Sequence, residues 1–246
     1  MTMFRIDSLE PTPTPRPASA SARRLTSAPR PQSALFQPIL CNVAFCSCYI
    51  YSPRGGSFVS RASRQLCERL KSGDAIWLPR YAGLVRELTT RHAAFAEMFG
   101  EDVTLVPVPS SDPSATRTWA AERLAVALHG VGLGRAVWPG IRRCFPVRKS
   151  ATALNADRPT TQLHYESLSV PDLAREPRTI VLIDDVITKG RTILAAAARL
   201  YEALPNTDIR AFALVRTMGF LPDISHFLEP CYGVVRWGGG DARRDP

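Results

Sequence analysis

Apolar and polar positions along this chain follow two rhythms, and the changes between them mark out its elements. Leu66 and Leu70, with their neighbours, recur at helical spacing and stop at Gly73, which predicts a short helix. Tyr81, Leu84, Val85, Leu88, Phe95 and Phe99 keep the same spacing up to Gly100 and predict a second helical stretch. Val103-Thr-Leu-Val-Pro-Val is β-branched, bounded by turn formers and too short for a helix, so it predicts a buried strand ending at Pro107 or Pro109. The Ala- and Leu-rich run from Trp119 to Leu128 predicts a helix closing near Gly130. Thr179-Ile-Val-Leu-Ile predicts a second buried strand, Ile193 to Leu204 a helix, and Ile209 to Val215 a third strand. Strands written as continuous apolar runs and alternating with helices belong to a parallel sheet covered on both faces. The expected fold class is α/β, with no internal repeat.

The amino-terminal part has no such rhythm. Met1 to about Pro38 is rich in Pro, Ala, Ser and Arg. Such a composition buries too little to offset chain entropy, so residues 1–38 are expected to be a disordered leader before a domain spanning 39–246. Its Arg- and Ser-rich, acid-poor make-up also resembles an organelle transit peptide, although a solvated extension is the simpler reading. Ile39 to Tyr51 is apolar but only about half the ~20 residues a spanning helix needs, so no membrane span is expected.

Charge narrows the picture further. The net +9 suggests a nucleic-acid binder until its distribution is followed. Pro11 to Cys67 contains no acid and seven arginines: Arg16, Arg23, Arg24, Arg30, Arg54, Arg61 and Arg64. With −1 on the first ten residues, Glu68 onward carries only +3. The excess belongs to the leader, and a duplex-binding face is not expected. Cys41, Cys46, Cys48, Cys67, Cys144 and Cys231 do not space as a disulfide framework. Cys46-Ser-Cys48 with Cys41 nearby lacks the two pairs at knuckle spacing that a closed zinc site wants. Buried thiols in a reduced, cytoplasmic setting are the expectation.

The chemistry concentrates in Thr179-Ile-Val-Leu-Ile-Asp-Asp-Val-Ile-Thr-Lys-Gly-Arg-Thr192. A buried strand delivers Asp184 and Asp185 to its carboxyl end, where open α/β sheets bind ligands. A short loop of Thr188, Lys189, Gly190, Arg191 and Thr192 then opens into a helix, whose free amides and positive dipole end favour a phosphate. Two acids beside a phosphate cradle would repel a bare phosphate. They suit a ligand that also offers hydroxyls, and a sugar phosphate meets both halves. A Walker A loop is excluded, because Lys189-Gly190 reverses its Gly-Lys order and the upstream glycine is missing. In phospho-aspartate receivers and haloacid-dehalogenase-like phosphatases the acidic strand lies early; only about sixty residues follow it here. A plain capped turn with solvated acids rarely needs two acids, two threonines and a glycine together.

The stretch resembles the ribose-phosphate signature of type I phosphoribosyltransferases, and the resemblance extends to the ComF-like (competence protein) subgroup. Arg80-Tyr81-Ala82-Gly83, Val106-Pro107-Val108-Pro109, and the basic Arg142, Arg143, Arg148, Lys149 and Arg158 carry that extension, over about Arg80 to Arg216. Lys189 departs from the usual Thr-Thr-Gly-x-Thr loop. The four-cysteine zinc ribbon of the subgroup is not reproduced, and Ser110 to Trp119 replaces its Gly-Phe-Asn-Gln run.

The resemblance implies a phosphoribosyltransferase fold that binds 5-phosphoribosyl-1-pyrophosphate, with Mg2+ held mainly through that substrate. Asp184 and Asp185 would take the ribose hydroxyls, and Thr188, Lys189, Gly190, Arg191 and Thr192 the 5′-phosphate. Ser110 and Ser111 are the candidate pyrophosphate turn, and Arg143 and Lys149 the catalytic cations of a basic lid. Pyrophosphate would leave C1 through an oxocarbenium-like state as a nitrogen acceptor arrives. The alternative is a non-catalytic or regulatory binder of the same fold, which the missing Gly-Phe-Asn-Gln run favours. A homo-oligomer is compatible with either. His92, His129, His164 and His226 are scattered and read as surface or core histidines, and Trp237 reads as a tail anchor.

Overall fold

The computed structural model describes residues 36–114, 118–148, 158–171, 176–219, 221 and 223–246. Most of the expected leader, and Lys149 with it, lies outside the described residues. Within the described chain, Phe36 already packs on the rings of Tyr165 and Trp237, at centroid distances of 5.1 and 5.5 Å.

The chain runs β1 (Asn42–Tyr51), α1 (Phe58–Ser72), α2 (Trp77–Arg91), α3 (Ala93–Met98), β2 (Val103–Pro107), α4 (Ala120–Gly130) and β3 (Ala136–Val137). It continues through β4 (Arg142–Arg143), α5 (Thr161–Glu166), β5 (Leu168–Ser169), β6 (Thr179–Ile187), α6 (Arg191–Ala203), β7 (Asp208–Thr217), β8 (Leu228–Gly238) and β9 (Asp241–Asp245). Seven strands form one sheet in the order β3-β2-β6-β7-β1-β8-β9. The first five are parallel; β8 runs antiparallel to β1, and β9 to β8. β4 and β5 make a separate two-stranded ribbon. The fold is therefore mixed α/β with a mostly parallel sheet; the parallel sheet expected from the sequence accounts for five of its strands, and β8 and β9 add an antiparallel edge.

The continuous apolar run of β6 follows from burial on both faces. Val181 and Ile183 join the core built with α1 to α4, through Leu66, Leu70, Tyr81, Val85, Phe95 and Leu124. Ile180 and Leu182 face the opposite core, built on Ile193, Leu194, Ala195, Ala196, Ala197 and Leu200 of α6. Alanines on α6 meet Ala211 and Ala213 of β7, so that helix lies close on the sheet.

Local signals explain the helix ends. Ser57 caps α1, its hydroxyl accepting from the Ser60 amide at 3.0 Å, and Gly73 closes it in the left-handed region at φ 75°. The helical spacing from Tyr81 to Phe99 belongs to two helices, not one. His92 takes an extended backbone between them, just after Thr89 and Thr90, whose hydroxyls donate back to the Arg86 and Glu87 carbonyls. β1, read from sequence only as too short to span a membrane, is a buried strand between β7 and β8. No helix among the described residues is long and apolar enough to cross a membrane.

Candidate functional site

The carboxyl ends of β2 and β6 lie side by side, and the site grows from them. β6 carries Asp184 and Asp185, both half-buried. Asp184 Oδ1 accepts from the Asp185 amide at 2.9 Å, and Asp185 Oδ1 from the Val186 amide at 3.0 Å. Burial, and then the adjacent Asp185 charge, push the Asp184 carboxyl well above the ordinary carboxylate range; Arg143 offsets this only in part. The two acids act as one coupled pair that resists carrying two negative charges.

Beside them, the Val108 amide donates to the Ile183 carbonyl at 2.8 Å and extends the β2–β6 ladder past Pro107. That brings the Ser110-Ser111 turn next to Asp184. The Trp119 indole donates to the Val108 carbonyl at 2.6 Å and ties the start of α4 to the strand end. The β4–β5 ribbon closes over this turn. Arg143 is only 7% exposed; its Nε donates to the Ser110 carbonyl at 2.7 Å and its Nη1 to the Ser167 hydroxyl. The Val147 amide donates to the Ser111 carbonyl at 2.9 Å, a second tie between the two segments. Burial lowers the Arg143 guanidinium to about 10 while the nearby Asp184 supports its charge, so it remains a cation at neutral pH. The structure thus brings together Ser110, Ser111, Arg143, Asp184 and Asp185.

The loop after β6 is tight. Gly190 sits at φ 82°, and a Cβ there would come within 2.6 Å of the Val235 side chain, so only glycine fits. Gly190 precedes α6 with no side-chain cap, which leaves the helix amides without a side-chain acceptor. Thr188 and Lys189 are exposed. The expectation that Lys189 and Arg191 both face a phosphate meets a different arrangement. Arg191 donates through Nε to Asp241 at 2.8 Å, through Nη2 to the same carboxylate, and through Nη1 to the Pro159 carbonyl at 2.9 Å. Lys189 Nζ stands 3.8 Å from Asp241.

Two features around this loop escaped the sequence reading. One is the β8–β9 hairpin, which touches the loop at three points: Val235 against Gly190, Asp241 on Arg191, and Arg244. Arg244 donates to the Ile187 carbonyl at 3.0 Å and to the Thr217 carbonyl at 2.6 Å. The other is His164, 5% exposed, with Nε2 3.4 Å from the Thr192 hydroxyl and Nδ1 buried without a hydrogen-bond partner. Burial, then Arg143 and Arg191, depress the imidazole to about 4, so it is neutral at pH 7. Its carbonyl accepts from the Ser167 hydroxyl at 2.7 Å, linking it to Arg143. Neither feature has a local spacing signal.

Among the described residues no group of three or more His, Cys, Asp or Glu side chains converges as a metal site. Asp184 and Asp185 would offer a magnesium ion carried by a substrate the carboxylate oxygens it prefers. Cys46, Cys48 and Cys67 are buried, and burial raises all three thiols, Cys46 and Cys67 to about 12. Two surface depressions, of about 270 and 400 Å³, lie elsewhere: one beside Leu78, Glu122 and Val126, the other beside Asp102, Arg135 and Arg178 at the opposite end of the sheet. Both are lined in part by charged side chains, Glu122 and Arg123 in the first and Asp102, Arg135, Glu176 and Arg178 in the second, but neither includes Asp184, Asp185 or any residue of the 188–192 loop. Compared with known proteins, the chain matches no family model and no curated sequence.

Proposed function

We propose that this protein binds 5-phosphoribosyl-1-pyrophosphate with Mg2+ and transfers the phosphoribosyl group to a nitrogen acceptor, releasing pyrophosphate. The observation that carries the reading is the buried Arg143, which arrives on a separate ribbon beside both the Ser110 carbonyl and the Asp184–Asp185 pair. A cation fixed there without solvent is preorganised for charge that gathers on a leaving group. The acid pair accepts ribose hydroxyls, and the amides of α6 with Thr188 and Thr192 receive the 5′-phosphate. Asp184 and Asp185 would be the residues to hold a magnesium ion carried by the substrate, and that ion would supply charge neutralisation for the pyrophosphate.

A second reading, a non-catalytic binder of the same fold, is favoured by the Ser110 to Trp119 stretch that stands in place of a Gly-Phe-Asn-Gln run. Released pyrophosphate, assayed against a panel of nucleobases and amines, separates the two. Binding itself is tested by calorimetry with and without Mg2+. Asp184→Asn with Asp185→Asn keeps the shape and removes the acceptors, and should weaken phosphoribosyl pyrophosphate by roughly 10²-fold or more while leaving inorganic phosphate little affected. A parent protein that does not bind the ligand, or a double variant that binds it equally well, ends the ribose-phosphate reading.

A further inference from the structure

The β8–β9 hairpin brings a carboxylate to the place where the reading above puts a phosphate. Asp241 takes three hydrogen bonds from Arg191, whose Nε reaches both carboxylate oxygens, and one from the Thr161 hydroxyl at 3.2 Å, and it has Lys189 at 3.8 Å. An arginine, a lysine and a hydroxyl around one anion are the donor set of a phosphate site. The hairpin has little freedom to withdraw. Ala242 is 1% exposed, Val235 presses on Gly190, and Arg244 is tied to two carbonyls at the ends of β6 and β7.

We propose that Asp241 is a built-in competitor at the phosphate loop: in the free protein it holds the loop cations, and a ligand reaches them only by outbidding this carboxylate. The proposal rests on the phosphate-binding role assigned to residues 188–192. The two cations are not held alike. Arg191, with a side chain 19% exposed and the Pro159 carbonyl as a further acceptor, is a fixed strut between α6 and the hairpin. Lys189, 59% exposed and at the limit of ion-pair distance, is the one that can turn to a ligand. Burial opposes ionisation of Asp241, but bonds from Arg191, the Ala242 amide and Thr161 outweigh it, so it is charged at neutral pH. A weak or singly charged anion then gains little over Asp241, whereas a dianionic phosphate ester does. The carboxylate sets a threshold that favours highly charged ligands.

The test uses the full chain and inorganic phosphate as the probe, which carries no ribose. Asp241→Asn retains an acceptor for Arg191 while removing the charge, and should bind phosphate about tenfold or more tightly than the parent at low salt. Adding Lys189→Gln should abolish most of that gain, because the freed lysine is the cation that turns to the ligand. An Asp241→Asn protein with parental or weaker phosphate affinity and an unchanged melting temperature overturns the proposal. So does phosphate binding in neither protein. If Asp241→Asn does not fold, Asp241→Ser, which also removes the charge and keeps a hydroxyl for Arg191, is measured in its place, and a phosphate affinity no tighter than the parent's overturns the proposal too. Failure of the parent to bind phosphoribosyl pyrophosphate is a separate result. It ends the ribose-phosphate reading and leaves the comparison with inorganic phosphate intact.

Discussion

Protonating His164 should destabilise this fold by a calculable amount. The imidazole is 5% exposed, its Nδ1 has no partner, and Arg143 and Arg191 stand on either side of it, on β4 and α6. Among the described residues the ring's one hydrogen-bond neighbour is the Thr192 hydroxyl at 3.4 Å, which carries no charge to offset a third cation. Burial first, then the two guanidiniums, lower it from 6.5 to about 4. A depressed histidine contributes stability that is complete above its unfolded value of 6.5 and is lost as pH falls toward 4. Over that window the loss approaches about 3 kcal/mol, from 1.36 kcal/mol per unit. Asp184 works in the opposite sense, because its raised value makes its ionisation destabilising as pH climbs. Comparing the parent with His164→Gln removes that common contribution. Urea unfolding at half-unit steps from pH 4 to 7.5 should show the parent losing about 3 kcal/mol more than the variant. A difference that stays flat across the window would mean that His164 is not held neutral, and the argument from its burial would be wrong.

Two further outcomes follow from the same geometry. Gly190→Ala combines a disfavoured φ of 82° with a contact of 2.6 Å to Val235, and should lower stability by about 2–4 kcal/mol in urea unfolding, partly recovered in combination with Val235→Ala. Arg143→Met leaves the Ser110 carbonyl and the Ser167 hydroxyl without their donor; it should cost about 1–3 kcal/mol of stability and reduce pyrophosphate release by roughly 10²-fold with any acceptor that supports turnover.

The parts of the fold legible in the sequence are those whose burial is uniform. β6 is apolar on both faces and α6 is alanine-rich along its buried side, so strand, loop and helix could all be placed from the residues alone. The acid pair and the glycine were visible for the same reason: they interrupt a run that is otherwise regular. β8 shows the opposite case. Of its eleven residues only Gly233 and Val235 are buried, and Pro230 and Gly233 break any alternation, so nothing in its pattern announces a strand. β1 is nearly all buried, but its cysteines and serine blurred the signal, and it registered only as a run too short for a membrane. His164 stands in a short helix, TQLHYE, with no partner at a fixed spacing; its neighbour Thr192 is 28 residues away. Asp241 lies 50 residues beyond Arg191, just past three glycines, and its role exists only after the hairpin has paired with β1. Arg143 was marked by its basic surroundings, but its burial depends on Ser110 and Ser167, each brought close by tertiary structure.

These long-range contacts change what the motif means electrically. Counted by sequence, residues 184–192 hold two acids and two bases and look balanced. In the folded chain both bases are engaged by Asp241, and the acids, crowded and partly desolvated, resist double ionisation until a cation arrives. The buried Arg143 guanidinium, bonded to Ser110 and Ser167 and supported in its charge by Asp184, comes from outside the motif. A bare phosphate would, under the proposed function, find the loop cations occupied, and among the described residues no third His, Cys, Asp or Glu joins the two carboxylates to hold a bare metal ion. Under the proposed function, a magnesium-bound pyrophosphate ester of ribose resolves both deficits at once. Its metal and hydroxyls satisfy Asp184 and Asp185, and its 5′-phosphate carries enough charge to draw Lys189 from Asp241. Selectivity on this view comes less from the loop residues than from the two internal pairings, Asp184 with Asp185 and Asp241 with Arg191, that a ligand has to match or displace.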